Sequence, residues 1–237
     1  RIAKELNVQF NTRKQLLLKT LYAFVANSST LDDLDCFSMF GTNSFNLVWE
    51  RVCADVLDNQ LQKPIGGLHL PVPLAEQYQD IRHKELGDLI DKPEWIGEDP
   101  DKGSFSKTAE HTLIPDLITI ANVNGEYQFI IFDAKYYNLV LEPDKSLRGQ
   151  PGIESITKQY LYQLAYQPFV EAHGIRTVKN CFLMPTAGNE VVAKGKVSLA
   201  MLSNLHLQDI QIRLVPAKMV YQHYLGNTKM DLHALML

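Results

Sequence analysis

A chain of 237 residues is long enough for one large or two small domains with a substantial hydrophobic core. Its composition, 46% hydrophobic, 21% charged and 9% aromatic, excludes a disordered, collagenous or low-complexity chain. Against 27 Asp and Glu stand 23 Lys and Arg, a net charge of −4 with an isoelectric point near 6.0, which argues against binding nucleic acid through a broad basic surface alone.

No stretch approaches the roughly 18 uncharged apolar residues of a membrane helix, and no basic patch followed by an apolar core opens the chain. A cytoplasmic protein without a membrane partner is expected. Cys36, Cys53 and Cys181 are odd in number and lack CxxC spacing, so they read as small apolar or surface thiols and not as a disulfide or zinc framework. The first residue is Arg1 and the chain runs directly into a basic, helix-like segment, which leads to the expectation of a portion of a longer protein.

From Lys14 to Val25, apolar Leu17, Leu21, Phe24 and Val25 recur at helical spacing, and Asn27-Ser28-Ser29-Thr30 ends the run. A second helix is expected from Asn43 or Ser44 as cap, with Phe45, Val48, Trp49, Val52 and Val56 on one face and Glu50 at its edge. Gln62 to Thr108 is broken by Pro64, Pro71, Pro73, Pro93 and Pro100. Its acidic part, Glu85 to Asp101, reads as a solvated insertion.

Strand patterning begins near Leu113. Leu117, Ile118, Ile120 and Val123 precede Asn124-Gly125, and Tyr127 and Phe129 to Phe132 follow, the strongest short-range signal for a β-hairpin with a type I′ turn. After the loop Arg148 to Gly152, a third helix is predicted from Ile153 to about Gln167, ended by Pro168, with Ile153, Ile156, Tyr160 and Leu164 buried. Strands over Thr177–Met184 and Gln208–Val215 and a last helix after Pro216 complete a mixed α/β domain behind an N-terminal helical portion.

With Asn124 and Gly125 as the loop, Val123 pairs with Glu126 and, carried back along the ladder, Asp116 pairs with Asp133. Opposed residues share a face with Cβ atoms about 4.5–5.5 Å apart, so this register sets two carboxylates side by side. Lys135, two residues on, points the same way. Like charges opposed inside apolar strands call for a cation, and two carboxylates with open positions for water and phosphate oxygens suit Mg²⁺, with Mn²⁺ as a substitute. An adjacent lysine can hold an attacking water or stabilise charge on a phosphate, so the set predicts metal-assisted phosphodiester hydrolysis. The competing reading makes Asp116 a turn residue and Lys135 an exposed strand cation; the register joining them favours function.

Ile114-Pro115-Asp116 followed by Asp133-Ala134-Lys135 resembles the signature of the PD-(D/E)xK nuclease superfamily. The flanking elements resemble its αβββαβ, restriction-endonuclease-like core, whose first strand is then expected within the proline-rich stretch. More narrowly, Leu47 to Glu50, Ile114 to Leu117, Phe132 to Tyr137 and Lys158 to Tyr162 are similar to LlaJI-type restriction endonucleases and McrC-like nuclease subunits, from about Phe45 to the C-terminus. On this basis residues 45–237 are expected to be the nuclease domain. Residues 1–44 are then the end of, or the link to, an upstream domain.

The resemblance implies a type II-like, Mg²⁺-dependent restriction deoxyribonuclease acting on double-stranded DNA and leaving 5′-phosphate and 3′-hydroxyl ends. It further implies an upstream recognition domain and, in some members, an AAA-type GTPase subunit. Cutting two strands with one site each makes a homodimer the expectation. By the same motif matching, Asp116 and Asp133 bind metal, Lys135 positions the water, and Glu50 supports the metal or its waters from its helix, a salt bridge on a solvated edge being the alternative.

Gln159, with a following Tyr162, is implied to lie near the active site and the DNA backbone, although Gln-x-x-x-Tyr is the commoner spacing. Gln159, Tyr162 and Tyr166 are expected on the polar face of their helix. Lys158 and Arg148 are candidate phosphate contacts that a solvated surface explains equally well. Trp49 and Trp95 read as packing residues, and His111 as structural among histidines without HxH or HExxH spacing. No Gly-rich phosphate loop is present. Two other readings use the same fold: a non-catalytic module for DNA binding or assembly, and an exonuclease or repair nuclease.

Overall fold

Positive φ at Asn124 (55°) and Gly125 (87°) closes the hairpin that joins β3 (Leu117–Val123) to β4 (Glu126–Ala134). Its register runs from Val123 opposite Glu126 to Leu117 opposite Phe132, as the turn chemistry predicts. A computed structural model describes residues 44–237 of the chain, and the expected Lys14–Val25 helix, the rest of the N-terminal segment and Cys36 lie outside the described residues.

The first described helix, α1 (Phe45–Val56), buries Trp49, Val52, Cys53 and Val56, a stripe at i, i+3, i+4 and i+7. Beyond it the chain runs along the free edge of β3. The Gln60 amide donates to the Ile118 carbonyl (2.8 Å), its Nε2 donates to the Ile120 carbonyl (3.1 Å), and the Ile118 amide donates to Asn59 Oδ1 (3.0 Å). An unpaired strand edge is a template for association. Here Asn59 and Gln60, just after α1, cover it; the first core strand expected within the proline-rich stretch does not join this sheet, since the strands found there, Glu94–Asp99 and Gly103–Thr108, form a sheet of their own.

The insertion is not all loop. It contains an antiparallel hairpin, β1 (Glu94–Asp99) and β2 (Gly103–Thr108), which forms a separate two-stranded sheet. The solvated reading holds in that neither strand has a buried residue, but the backbone is paired over its whole length.

α2 (Ile153–Ala172) returns the chain from β4 to β5 (Thr177–Thr186), which runs parallel to β4. β6 (Val192–Val197) lies antiparallel to β7 (Ile210–Pro216), β7 pairs parallel with β5, and the sheet order is β3-β4-β5-β7-β6. α3 (Ala217–Leu225) follows Pro216 as expected.

Three expectations about α2 are corrected. Pro168 does not end it: the helix continues to Ala172, where Phe169 and Val170 are buried. The loss of one amide donor at Pro168 is offset by burying those two side chains against the sheet. Nor is Ile153 on a buried face, being 61% exposed. The presumed polar side, Gln159, Tyr162 and Tyr166, is the one that packs inward, with Tyr160 buried in a further cluster against Phe182 and Ile212.

Strand alternation sorts the core into layers. Leu117, Ile130, Phe132, Ala134, Cys181 and Leu183 meet α1 and Val220 of α3 on one face. On the other, Ile118, Ile120, Phe129 and Ile131 meet Tyr162, Tyr166 and Phe169 of α2, together with Leu61, Ile65 and Leu86 from the stretch between α1 and the β1–β2 hairpin. The result is a mixed α/β architecture of the kind found in restriction-endonuclease-like cores, with β3 and β4 ending at the same rim.

Candidate active site

Asp116 lies one residue before β3 and Asp133 one residue before the end of β4. The ladder bond that would continue the hairpin is replaced by a side chain: Asp116 Oδ2 accepts from the Ala134 amide at 2.8 Å. That bond pins Asp116 to the residue between Asp133 and Lys135. Lys135 Nζ stands 2.6 Å from Asp133 Oδ1. The contact is a close ion pair without good hydrogen-bond alignment at that oxygen.

Burial drives the electrostatics. Asp133 is only 5% exposed, and desolvation followed by the adjoining Asp116 carboxyl pushes its pKa well above the usual carboxylate range, against the pull of Lys135. For Lys135, burial alone would lower the pKa, but the pair with Asp133 and the charge of Asp116 leave it raised, so the ammonium stays protonated at neutral pH. Glu50, half-buried on α1, is raised by desolvation and then by Asp116, and lowered by Lys135. It therefore belongs to the same electrostatic cluster, although Glu50 and the two aspartates do not form a ready-made cage. Among the described residues no three His, Cys, Asp or Glu side chains do so.

Aromatic residues hold this rim in place. The Trp49 indole N–H donates to the Leu183 carbonyl (3.1 Å), which also accepts from the Lys135 amide (2.9 Å), so the residue before Glu50 and the backbone of Lys135 share one anchor. From the other face, the Tyr162 hydroxyl donates to the Ile114 carbonyl (2.9 Å), two residues before Asp116. Burial and the two aspartates raise the pKa of that phenol, which keeps it a donor. Gln159 is fully buried, its Nε2 donating to the Ile131 carbonyl at 2.8 Å while its Oε1 has no partner.

Four of the residues singled out in the sequence, Asp116, Asp133, Lys135 and Glu50, thus meet at one place. Gln159 and Tyr162 lie beneath it and not on a polar surface. Lys158 is on the outer side of α2, paired with Glu154 at 2.5 Å, and Arg148 is exposed in the loop after β4, bridged through its backbone to Val140. Trp49 is a packing residue as expected, whereas Trp95 is 71% exposed. His111 is exposed beside Glu110 on the wall of an open cleft of about 830 Å³ that reaches Glu50 and Asp116. Sequence reasoning missed the anchoring by Trp49 and Tyr162, since backbone carbonyls as partners leave no trace in a residue pattern.

A mixed sheet whose β3–β4 hairpin carries two adjoining carboxylates and a paired lysine where its ladder ends is a restriction-endonuclease-like arrangement. The chain belongs to the LlaJI restriction endonuclease family, whose model matches residues 1–71 and 77–219. The match begins at residue 1, so the similarity includes the segment before Phe45. The chain is also 29% identical over 230 residues to the type II restriction enzyme BsuMI component YdjA of Bacillus subtilis (strain 168), covering 95% of this chain and 42% of the relative. It thus spans less than half the length of that relative. No solved structure matches the chain.

Proposed function

We propose that the chain carries the catalytic centre of a Mg²⁺-dependent DNA endonuclease of a restriction system, built on a PD-(D/E)xK site. The observation that carries this reading is the meeting of Asp116, held on the Ala134 amide, with Asp133 and its Lys135 partner at 2.6 Å where the β3–β4 ladder ends, Asp116 lining the cleft. The family supports it independently of the geometry.

The residues fit a hard divalent ion. Asp133 offers a buried oxygen that faces the Lys135 ammonium and has no hydrogen-bond partner, Asp116 adds a second carboxylate, and two carboxylates with room for water and phosphate oxygens match the preference of Mg²⁺. Asp116 and Asp133 would hold it, with Glu50 supporting its waters from α1. When bound, the ion neutralises the paired carboxylates and polarises the phosphodiester.

The chain's own groups account for the remainder. Lys135, protonated and fixed through its amide to Leu183, orients the attacking water and offsets charge gathering on the phosphate. Water attacks phosphorus and gives up a proton to solvent, the bond to the 3′ oxygen breaks, and that oxygen takes up a proton from solvent, leaving a 5′-phosphate and a 3′-hydroxyl. Tyr162 and Trp49 keep the two ends of the carboxylate pair from drifting apart, which matters because small misplacements cost large factors in rate.

DNA is the substrate, and a homodimer supplies two such sites for double-strand cutting. The relative's description as a component supports assembly with further subunits, among which a recognition domain and a GTPase of the AAA type are the expected partners. The end chemistry is tested by ligation. Plasmid cut by the protein should reclose with DNA ligase alone; ends that need a kinase or a 3′-phosphatase before ligation would overturn the reaction as written.

A further inference from the structure

The β1–β2 hairpin rises from the wall of the active-site cleft. Its roots are tied by the Ala109 amide donating to the Pro93 carbonyl (2.7 Å) and the Thr112 hydroxyl donating to the Asp91 carbonyl (2.6 Å). Asp91, Lys92, Glu110, His111 and Thr112 at those roots line the same cleft as Glu50 and Asp116. Neither strand has a buried residue, and a lone two-stranded hairpin is marginal in water.

Its two faces differ. Trp95 pairs with Lys107 and Gly97 with Phe105, so these four share one face. The Phe105 ring lies over Gly97, where a Cβ would come within 2.6 Å of the ring, and Lys107 Nζ stands 5.8 Å from its centroid. Trp95 is 71% and Phe105 47% exposed. Glu94 and Glu98 point to the opposite face with Ile96 and Ser106. By the same register Asp99 falls on the aromatic face, at its tip, where its carboxylate accepts from the amides of Asp101 and Lys102. The aromatic face therefore carries a cation, and the glutamates of β1 are turned away from it.

We propose that this face of the β1–β2 hairpin is a DNA contact that stacks Trp95 and Phe105 on nucleobases next to the phosphate in the cleft. An aromatic surface with an adjoining lysine is the chemistry that receives unstacked bases beside a backbone phosphate. With Lys107 beside the rings and Glu94 and Glu98 on the other face, the ring-bearing part of the hairpin favours DNA over a basic protein surface, and the hairpin's roots line the cleft that Asp116 also lines. The proposal rests on the nuclease reading of that cleft.

Tryptophan fluorescence tests it without requiring cleavage, because Trp49 is buried and Trp95 supplies the solvent-accessible emission. With sheared duplex DNA in Ca²⁺, binding should shield Trp95 from acrylamide. Replacing both rings, Trp95→Ser with Phe105→Ser, should weaken DNA affinity at least about fivefold, since stacking contributes roughly 1–3 kcal/mol per base. Trp95→Phe, which keeps a ring, should stay close to the unmodified protein, and circular dichroism should be unchanged in both variants.

If DNA binds, Trp95 stays quenchable and the double variant binds equally well, the hairpin proposal falls while the nuclease reading stands. A chain that neither binds nor cuts DNA removes both. Shielding of Trp95 by rising protein concentration alone, lost in the double variant with DNA affinity intact, would overturn the proposal in favour of a protein contact.

Discussion

A carboxylate that is 5% exposed beside a second carboxylate costs stability wherever it is ionised. For Asp133 the pKa is raised on folding, so between its unfolded value near 4 and its folded value the native state binds more protons than the unfolded one. Stability therefore falls as pH rises through that window, and a neutral side chain removes the loss. Asp133→Asn should raise the Tm of the metal-free protein at pH 8, by about 2–4 °C for each kcal/mol recovered, with the difference shrinking toward pH 4. Thermal melts in EDTA at the two pH values check this; an equal fall in Tm at both would mean that the pair with Lys135 stabilises the fold. The two aspartates and Lys135 were readable in the sequence because a hairpin's turn fixes its register. Glu50 was readable only as a carboxylate on a helix edge, and its coupling to Asp116 needs the helix to be docked.

At the scale of elements, α1 and α2 grip the rim that carries Asp116 and Asp133 from opposite faces of the sheet. α2 reaches Ile114 through Tyr162 and the insertion through the Tyr166 hydroxyl, which donates to the Leu86 carbonyl at 3.2 Å. Tyr162→Phe keeps the ring and loses only the first of these bonds, a change of about 1 kcal/mol in stability. We expect kcat for DNA cleavage to drop while the Kd for DNA stays unchanged, measured by single-turnover cleavage and by binding in Ca²⁺. A selective rise in Kd would instead make Tyr162 the DNA contact that its place on the helix first suggested.

The inward face of α2 was misread because its buried residues are Tyr and Gln, which look polar by composition yet are satisfied by backbone carbonyls. Pro168 was misread as a stop because local preference was outweighed by the burial of Phe169 and Val170. The β1–β2 hairpin was invisible because strand patterns report burial, and it has none.

For the whole molecule, the net charge of −4 is compatible with a DNA enzyme when the substrate is engaged locally. Cations at Lys84, Lys92 and Arg51 are interspersed with carboxylates along the cleft, and Lys107 stands on the hairpin face. Among the described residues no helix is long and apolar enough to cross a membrane. The α/β class, the β3–β4 hairpin, the crossover helix and two of the parallel strands followed from periodicity and turn chemistry. The sheet order and the covering of the β3 edge did not, because they depend on contacts distant in sequence.

The central claim, that Asp116, Asp133 and Lys135 form a divalent-metal nuclease site, is tested most directly by incubating the chain with closed circular plasmid in Mg²⁺ and in EDTA, beside Asp133→Ala and Lys135→Ala. The account predicts nicked and linear products in Mg²⁺ only, with a loss of about 10²–10³-fold or more in each variant. Cleavage that persists in EDTA, or that either variant retains in full, would contradict it.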